Sequence, residues 1–261
     1  MIIRTHNAYH LGDNLVHLHF LRKVALANPD RQFVHAAQWQ YLKQLQDVVA
    51  DVPNVELKDF NYTTPSDSIN AWRGDKQFWY SHPDRLDFVK FHVEAWFPYL
   101  SDRMNVENPI KCAKDMLFDY PAIQTCFGPS RITDCEVLVI NSPPGSGQFQ
   151  RYDEYALAIL ANGIASKGFK VVVTDDLPKN LQSTKRFGYS VTQIGGLSLY
   201  CHTILMVSTG PSWPTFNIWN QESVKHRIIL LEPERVNLSP NTMHCATIDE
   251  AAEVLKGEGL L

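Results

Sequence analysis

Glu136-Val-Leu-Val-Ile-Asn-Ser-Pro-Pro-Gly-Ser-Gly-Gln148 is the stretch whose reading settles the fold class. Residues 136–140 are nearly all β-branched or leucine, as a strand covered on both faces requires. Prolines and glycines then end the strand, and an apolar helical period runs over 152–166. Gly168 follows, a residue suited to the left-handed position just past a helix. Lys170-Val-Val-Val-Thr174 is the next strand, stopping at Asp175-Asp176. Strand, crossover helix and strand with short joints is the grammar of a parallel, doubly wound sheet. Apolar runs over 189–194, 204–208 and 227–231 extend it, and Thr247-Ile-Asp-Glu250 is a capping box opening a last helix through Leu255.

The same grammar fills the first third of the chain. Ile2 and Ile3 begin a strand ending near His6, and Asn7-Ala-Tyr-His-Leu-Gly-Asp13 follows as a loop. A helix is predicted over 14–27, with Leu15, Leu18, Leu21 and Ala25 near helical spacing and Asn28-Pro29 as its stop. Residues 32–35 and 55–57 read as strands around a helix over 38–49. Residues 60–83, polar and aromatic without a sustained period, read as a long loop of the functional kind. A helix over 84–102 and a short one over 111–118 come next. The stretch 120–134, with Pro121, Gly128 and Pro129, reads as a linker, so two α/β domains are expected, 1–125 and 126–261.

Composition narrows the partners. The 261 residues are 44% hydrophobic, and 28 acidic against 24 basic side chains give a net charge of −4. That balance lacks the bulk basicity of a nucleic-acid binder and weighs against nucleic acid as a partner. No apolar run approaches the roughly 20 residues of a membrane span, and no basic-then-apolar signal segment opens the chain. The five cysteines, 112, 126, 135, 201 and 245, are odd in number and form no C-x-x-C pair. A disulfide framework and a cysteine zinc site are therefore both poor readings, and a cytoplasmic location is expected. His17 and His19 are two apart and point to different sides of a helix, no H-E-x-x-H is present, and no metal site is expected.

Three joints carry residues suited to ligand chemistry, since open parallel sheets bind ligands beyond the carboxyl ends of their strands. In the first, Gly12 permits close backbone approach and Asp13 puts a carboxylate at a helix entrance; a plain helix cap by Asp13 or Asn14 is the structural alternative. In the second, Gly145, Ser146, Gly147 and Gln148 can wrap phosphate oxygens and Arg151 adds charge, although a bare proline-glycine turn reads equally well. Gln150 stands at the third glycine position of the dinucleotide fingerprint, which is thus incomplete. In the third, Ser208, Thr209 and Gly210 precede an expected helix whose dipole favours a diphosphate; a plain N-cap by any one of these residues is the structural alternative. Asp175, or Asp176 beside it, is placed to accept from ribose hydroxyls or to sit in an exposed turn.

Together these loops resemble the heptosyltransferase-like group of glycosyltransferases, family 9. The family's Gly-Asp pair before an apolar helix is similar to Gly12-Asp13, with Leu15 to Leu26 and Pro29 following. Its proline-glycine-small loop is similar to Val139-Ile-Asn-Ser-Pro-Pro-Gly-Ser146, and its late Asp-Ser/Thr-Gly-x-x-His motif to Ser208-Thr-Gly-Pro-Ser-Trp213. The sequence departs at Ser208, where the family often has aspartate, and at Trp213, where it has histidine. The resemblance implies a GT-B architecture, two Rossmann-like doubly wound domains facing across a cleft. It implies inverting, metal-independent sugar transfer from a nucleotide-diphosphate donor, with no cofactor and with a glycan or other hydroxyl compound as acceptor. Asp13 would be the general base. Gly12, Gly145, Ser146, Gly147, Gln148, Arg151, Asp175, Ser208, Thr209 and Gly210 would hold the donor, with Trp213 stacking on a base or sugar. The acceptor would lie near the aromatic region 72–96, a stretch that reads equally well as a hydrophobic core under a long loop. Two other classes stay open: a sugar-nucleotide-binding protein without transfer activity, and a nicotinamide-dependent oxidoreductase.

Overall fold

Two hydrophobic strands separated by one helix must lie parallel, because the helix carries the chain back along the sheet face. β1 (Ile2–Asn7), α1 (Leu11–Ala27) and β2 (Gln32–Ala37) form that unit, with Ile2 opposite Gln32 and Asn7 opposite Ala37. The computed structural model describes residues 2–62, 67–125, 132, 134–145, 149–177 and 181–261. α2 (Trp39–Val49) leads to β3 (Val55–Asp59), which pairs in parallel with β2. β4 (Ile69–Asn70) pairs with the other side of β1, so the sheet order is β3-β2-β1-β4. This fourth strand arises inside 60–83, the predicted loop. Two residues are too few to show a period, and only the free edge of β1 makes them a strand.

α1 buries nearly its whole circumference, including Leu15, Leu18, Phe20 and Val24, and Phe20 stacks on Phe97 at 4.4 Å. The predicted helix over 84–102 is α4 (Phe88–Phe91), a π turn (His92–Trp96) and α5 (Phe97–Met104) in succession. α3 (Lys76–Ser81) precedes them. Trp72, Trp79 and Trp96 are 2%, 6% and 0% exposed; Trp72 and Trp79 pack with His92, and Trp96 packs with Trp79. The predicted acceptor-stacking surface is, for these three rings, interior.

The same region buries several histidines. His17 lies among Asn7, Trp72 and Trp96, while His35 bonds to the Thr5 hydroxyl at 2.9 Å. Burial pushes His35 and His92 down to about 3 and His19 to about 4, against an ordinary value of 6.5. The unfolded chain therefore binds more protons than the folded one below pH ~6.5. Stability from these groups is complete above that pH and falls progressively as the pH drops towards 4. Melting temperature measured from pH 7 to 4 is expected to decline steeply, with tryptophan fluorescence of the 72–96 region changing in the same transition. A flat profile would contradict it.

The second half builds a larger sheet. β5 (Val137–Ile140), β6 (Val171–Val173), β7 (Gln182–Ser183), β8 (Thr203–Val207), β9 (His226–Leu230) and β10 (Thr242–Cys245) are all parallel in the order β10-β9-β8-β5-β6-β7. Counted from β5, this is the 3-2-1-4-5-6 order of a doubly wound nucleotide-binding sheet, whose switch point lies between β5 and β8. Every residue of β5 and β8 is buried. α7 (Glu154–Ser166) and α9 (Ile248–Gly257) pack over the core with Val137, Val139, Leu205 and Leu255. α9 begins with half of the predicted box: Thr247 accepts from the Glu250 N–H, whereas the Glu250 carboxylate accepts from the Ala246 N–H, one residue before the cap.

The predicted strand over 189–194 is instead the start of α8 (Val191–Leu197), after a short α6 (Ala122–Thr125) earlier in the chain. Ser190 and Gln193 make a reciprocal capping box at 3.2 and 2.8 Å, and Val191, Ile194 and Leu197 fall at helical spacing. Gly195 lets α8 meet the segment after β8: a Cβ there would lie 2.7 Å from the Pro214 Cβ. β9 contributes a fully buried Arg227. Its guanidinium donates to the Thr215 carbonyl at 3.1 Å and to the Asn220 carbonyl and side-chain oxygen at 3.1 and 2.7 Å. Burial lowers its pKa to about 10, so it is charged at neutral pH and clamps the crossing from β8 to β9. The contacts divide the chain into one unit of Met1–Ala122 with Val236–Leu238 and another of Ile123–Arg235 with Ser239–Leu261.

Candidate functional site

In each unit a fully buried asparagine stands at the exit of the first strand, Asn7 as the last residue of β1 and Asn141 directly after β5. A buried amide at a strand exit must find partners, and it finds them in the turning backbone. The Asn141 side-chain oxygen accepts from the Thr174 and Asp175 N–H groups, both at 3.0 Å, and its amide donates to the Asp175 carbonyl at 3.1 Å. The exits of β5 and β6 are thereby tied together. The Tyr152 hydroxyl donates to the Asn141 carbonyl at 2.7 Å, pinning the far end of the loop to its start. Burial, helped by Glu154, Asp175 and Asp153, pushes the Tyr152 phenol up to about 12, so it remains a donor. Tyr152→Phe is expected to lower the unit's stability by about 0.5–1.5 kcal/mol, read from its denaturation midpoint; no change would mean that the loop is closed by other contacts.

Within that loop Gly145 and Arg151 are exposed, and Arg151 has no acidic partner among the described residues. Ser146, Gly147 and Gln148 lie outside the described residues. The start of α7 is already occupied: Asp153 accepts from the Ala156 N–H at 3.0 Å and Glu154 sits in the first turn. Those two carboxylates meet the positive end of the helix, which leaves Arg151 as this joint's source of positive charge. Asp175 pairs with the Lys185 Nζ at 2.9 Å and Asp176 with the Arg186 Nε at 2.7 Å, so both carboxylates have exposed cationic partners.

The joint after β8 differs from its prediction. The expected helix is a 3-10 turn, Gly210–Thr215. Its polar groups are largely consumed locally: the Thr209 N–H donates to the Ser212 hydroxyl, the Thr209 hydroxyl to the Val207 carbonyl, and the Ser212 hydroxyl to the Thr209 carbonyl. A turn this short supplies little dipole. Ser208 is 5% exposed and Trp213 8%, with Phe216 beside it, so Trp213 has little ring face for a ligand. Thr209 and Gly210 are half-buried at the end of β8. Topology therefore brings Gly145, Arg151, Asp175, Thr209 and Gly210 to the carboxyl edge of β6, β5 and β8.

In the N-terminal unit α1 starts at Leu11, three residues earlier than predicted, so Gly12 and Asp13 belong to its first turn. The Asp13 carboxylate accepts from the His10 N–H at 3.2 Å in a capping box. Asp13 is half-buried beyond the carboxyl end of β1. Part of the predicted aromatic region 72–96, Arg73, Trp79 and Tyr80, meets Tyr9 beyond the carboxyl end of β1. The Arg73 guanidinium lies 5.8, 5.7 and 5.7 Å from the ring centres of Tyr9, Trp79 and Tyr80, a cation held by aromatic faces. The signal available in the sequence was the Trp72-Arg73-Gly74 run inside 60–83; Gly74 is needed because a Cβ would sit 2.5 Å from the Asn70 carbonyl oxygen. Among the described residues no group of three His, Cys, Asp or Glu is placed to hold a metal ion, and no helix is long and apolar enough to cross a membrane.

This fold of two parallel α/β units is shared with solved heptosyltransferases. Among solved structures, the E. coli heptosyltransferase WaaC with ADP-2-deoxy-2-fluoro heptose matches with a TM-score of 0.59 at 13% identity, over 99% of this chain and 100% of that one. A glycosyl transferase family 9 protein from Veillonella parvula matches with a TM-score of 0.56 at 14% identity, over 99% of this chain and 89% of that one. TibC from enterotoxigenic E. coli, described as an iron-containing dodecameric glycosyltransferase, matches with a TM-score of 0.55 at 13% identity, over 93% of this chain and 61% of that one. No protein-family model and no curated protein matches the sequence.

Proposed function

We propose that this chain is a glycosyltransferase that moves a sugar from a nucleotide-diphosphate donor to an acceptor hydroxyl with inversion. The observation that carries the reading is the exposed Arg151, without an acidic partner among the described residues, beside the switch point of a sheet whose strand order suits a nucleotide. A diphosphate placed there meets the guanidinium, the loop at Gly145 and the Thr209–Gly210 backbone. The fold shared with WaaC, whose structure carries an ADP-sugar analogue, supports the donor class.

In this reading Asp13 and Arg151 take the roles that the family resemblance implies. The acceptor oxygen attacks the anomeric carbon and its proton passes to the Asp13 carboxylate. The bond from that carbon to the diphosphate breaks, and the electron pair leaves with the diphosphate, whose charge Arg151 stabilises. A donor bound on the C-terminal unit and a base carried by the N-terminal unit make binding and proton transfer separable by mutation.

A thermal-shift panel of ADP, UDP, GDP, their sugar conjugates and NAD tests the donor class, because a ligand of the native state raises apparent stability by about 2.7 kcal/mol at a hundredfold excess over Kd. At least one nucleoside diphosphate and its sugar conjugate should raise the melting temperature by several degrees, with NAD inert. A shift with NAD alone would favour the oxidoreductase, for which the six-strand order is equally suited. Binding of a sugar nucleotide without release of diphosphate in the presence of acceptor would leave a binding protein.

A further inference from the structure

Cys135 and Cys201 are 66 residues apart, yet they meet. Val137 stands opposite Thr203 in the β5–β8 register, so two residues earlier Cys135 stands opposite Cys201. The pairing continues to that point, since the His202 N–H donates to the Glu136 carbonyl at 3.0 Å. Neighbouring strands lie about 4.8 Å apart, inside the span of about 4.4–6.8 Å between α-carbons that a disulfide accepts. The sulfurs are 3.1 Å apart, with the Cys201 thiol directed at Cys135, and the residues are 1% and 3% exposed. Both are reduced.

We infer that Cys135 and Cys201 form a peroxide-sensitive dithiol that closes to a disulfide across the roots of β5 and β8. The sulfurs need to approach by only about 1 Å to reach bonding distance. Hydrogen peroxide is the oxidant, small enough for a buried pair. The adjoining Cys201 and burial hold the Cys135 thiol well above the usual range, so Cys135 is the slower of the two to ionise. Cys201 is therefore the sulfur that reacts first. Its thiolate attacks one peroxide oxygen, giving a sulfenic acid and hydroxide, which takes up a proton to leave as water. The Cys135 sulfur then attacks the Cys201 sulfur; the S–O bond breaks, and the second water departs with the Cys135 proton. Two thiols and one peroxide yield one disulfide and two waters. The bond lies at the amino ends of the two strands, away from their carboxyl-end loops, and acts as a staple on the sheet.

The test treats the native protein with hydrogen peroxide, alkylates the remaining thiols under denaturing conditions and maps the peptides by mass spectrometry. The expected product is a cross-linked pair of peptides carrying Cys135 and Cys201, lighter by two hydrogens and cleaved by dithiothreitol. The melting temperature should rise by about 5–10 °C, and the rise should vanish on reduction. Cys135→Ser and Cys201→Ala each test the assignment: both should fold and melt near the reduced wild type, and neither should respond to peroxide with a higher melting temperature. Recovery of both cysteines singly alkylated after oxidation, or a bridge involving Cys112, Cys126 or Cys245, would overturn the inference.

Discussion

Asp13→Asn is expected to lower sugar-transfer turnover by about 10²–10⁴-fold, the contribution of a positioned general base. Asparagine keeps an oxygen to accept from the His10 N–H, so the capping box at the start of α1 survives. Loss of the negative charge near the helix N-terminus should cost no more than about 0.3–1 kcal/mol. Donor affinity should be unchanged, because the proposed donor site belongs to the other unit. The readouts are nucleoside diphosphate release with acceptor present, donor affinity and melting temperature, all on the one variant. Turnover near wild type would reduce Asp13 to a capping residue and send the search for the base to other carboxylates.

Arg227→Ala carries the largest expected structural effect. Arg227 holds three oxygens of the segment returning from β8, and among the described residues none of its hydrogen bonds is to a carboxylate. Truncation leaves buried carbonyls without donors and opens a cavity under Phe216, 5.5 Å from the guanidinium. A loss of about 3–5 kcal/mol is expected, read from the shift in urea midpoint at constant slope. Arg227→Met separates the causes: it restores volume but not donors, and should recover only part of the loss. A loss below about 1 kcal/mol for the alanine variant would mean that the crossing is held elsewhere.

The parts of this molecule that could be read from the sequence are those with enough residues to show a period or a cap. Residues 136–140 and 170–174 are dense β-branched runs and became β5 and β6 with little adjustment. β4 and β7 have two residues each, and β10 carries His244 and Thr242 among its four, so no run announces them. The start of α1 was hidden because its N-cap is His10, a residue without strong capping preference, while Asp13 and Asn14 look like caps themselves. α8 was mistaken for a strand because a window of six apolar and polar residues does not distinguish the two periods until the Ser190–Gln193 box is recognised.

At the candidate site the legible elements were the loops after Ile140 and Val207 and the cation Arg151, all placed by strand-end logic. The roles of Asn141 and Tyr152 were not legible, since the bonds that close the loop depend on which strand lies beside β5. Trp213 illustrates the converse error. An aromatic in a glycine- and serine-rich joint reads as a ligand surface, but the 3-10 turn folds it inward.

The account stands most directly on isothermal titration of the best nucleoside diphosphate from the thermal-shift panel into the wild-type protein and Arg151→Ala. Because Arg151 is exposed and without an acidic partner among the described residues, its removal should leave the fold intact. The predicted result is a saturable 1:1 isotherm for the wild type and a loss of about 1.5–3 kcal/mol, roughly 10- to 150-fold in Kd, for the variant. No binding to the wild type, or equal affinity in the two proteins, would contradict it.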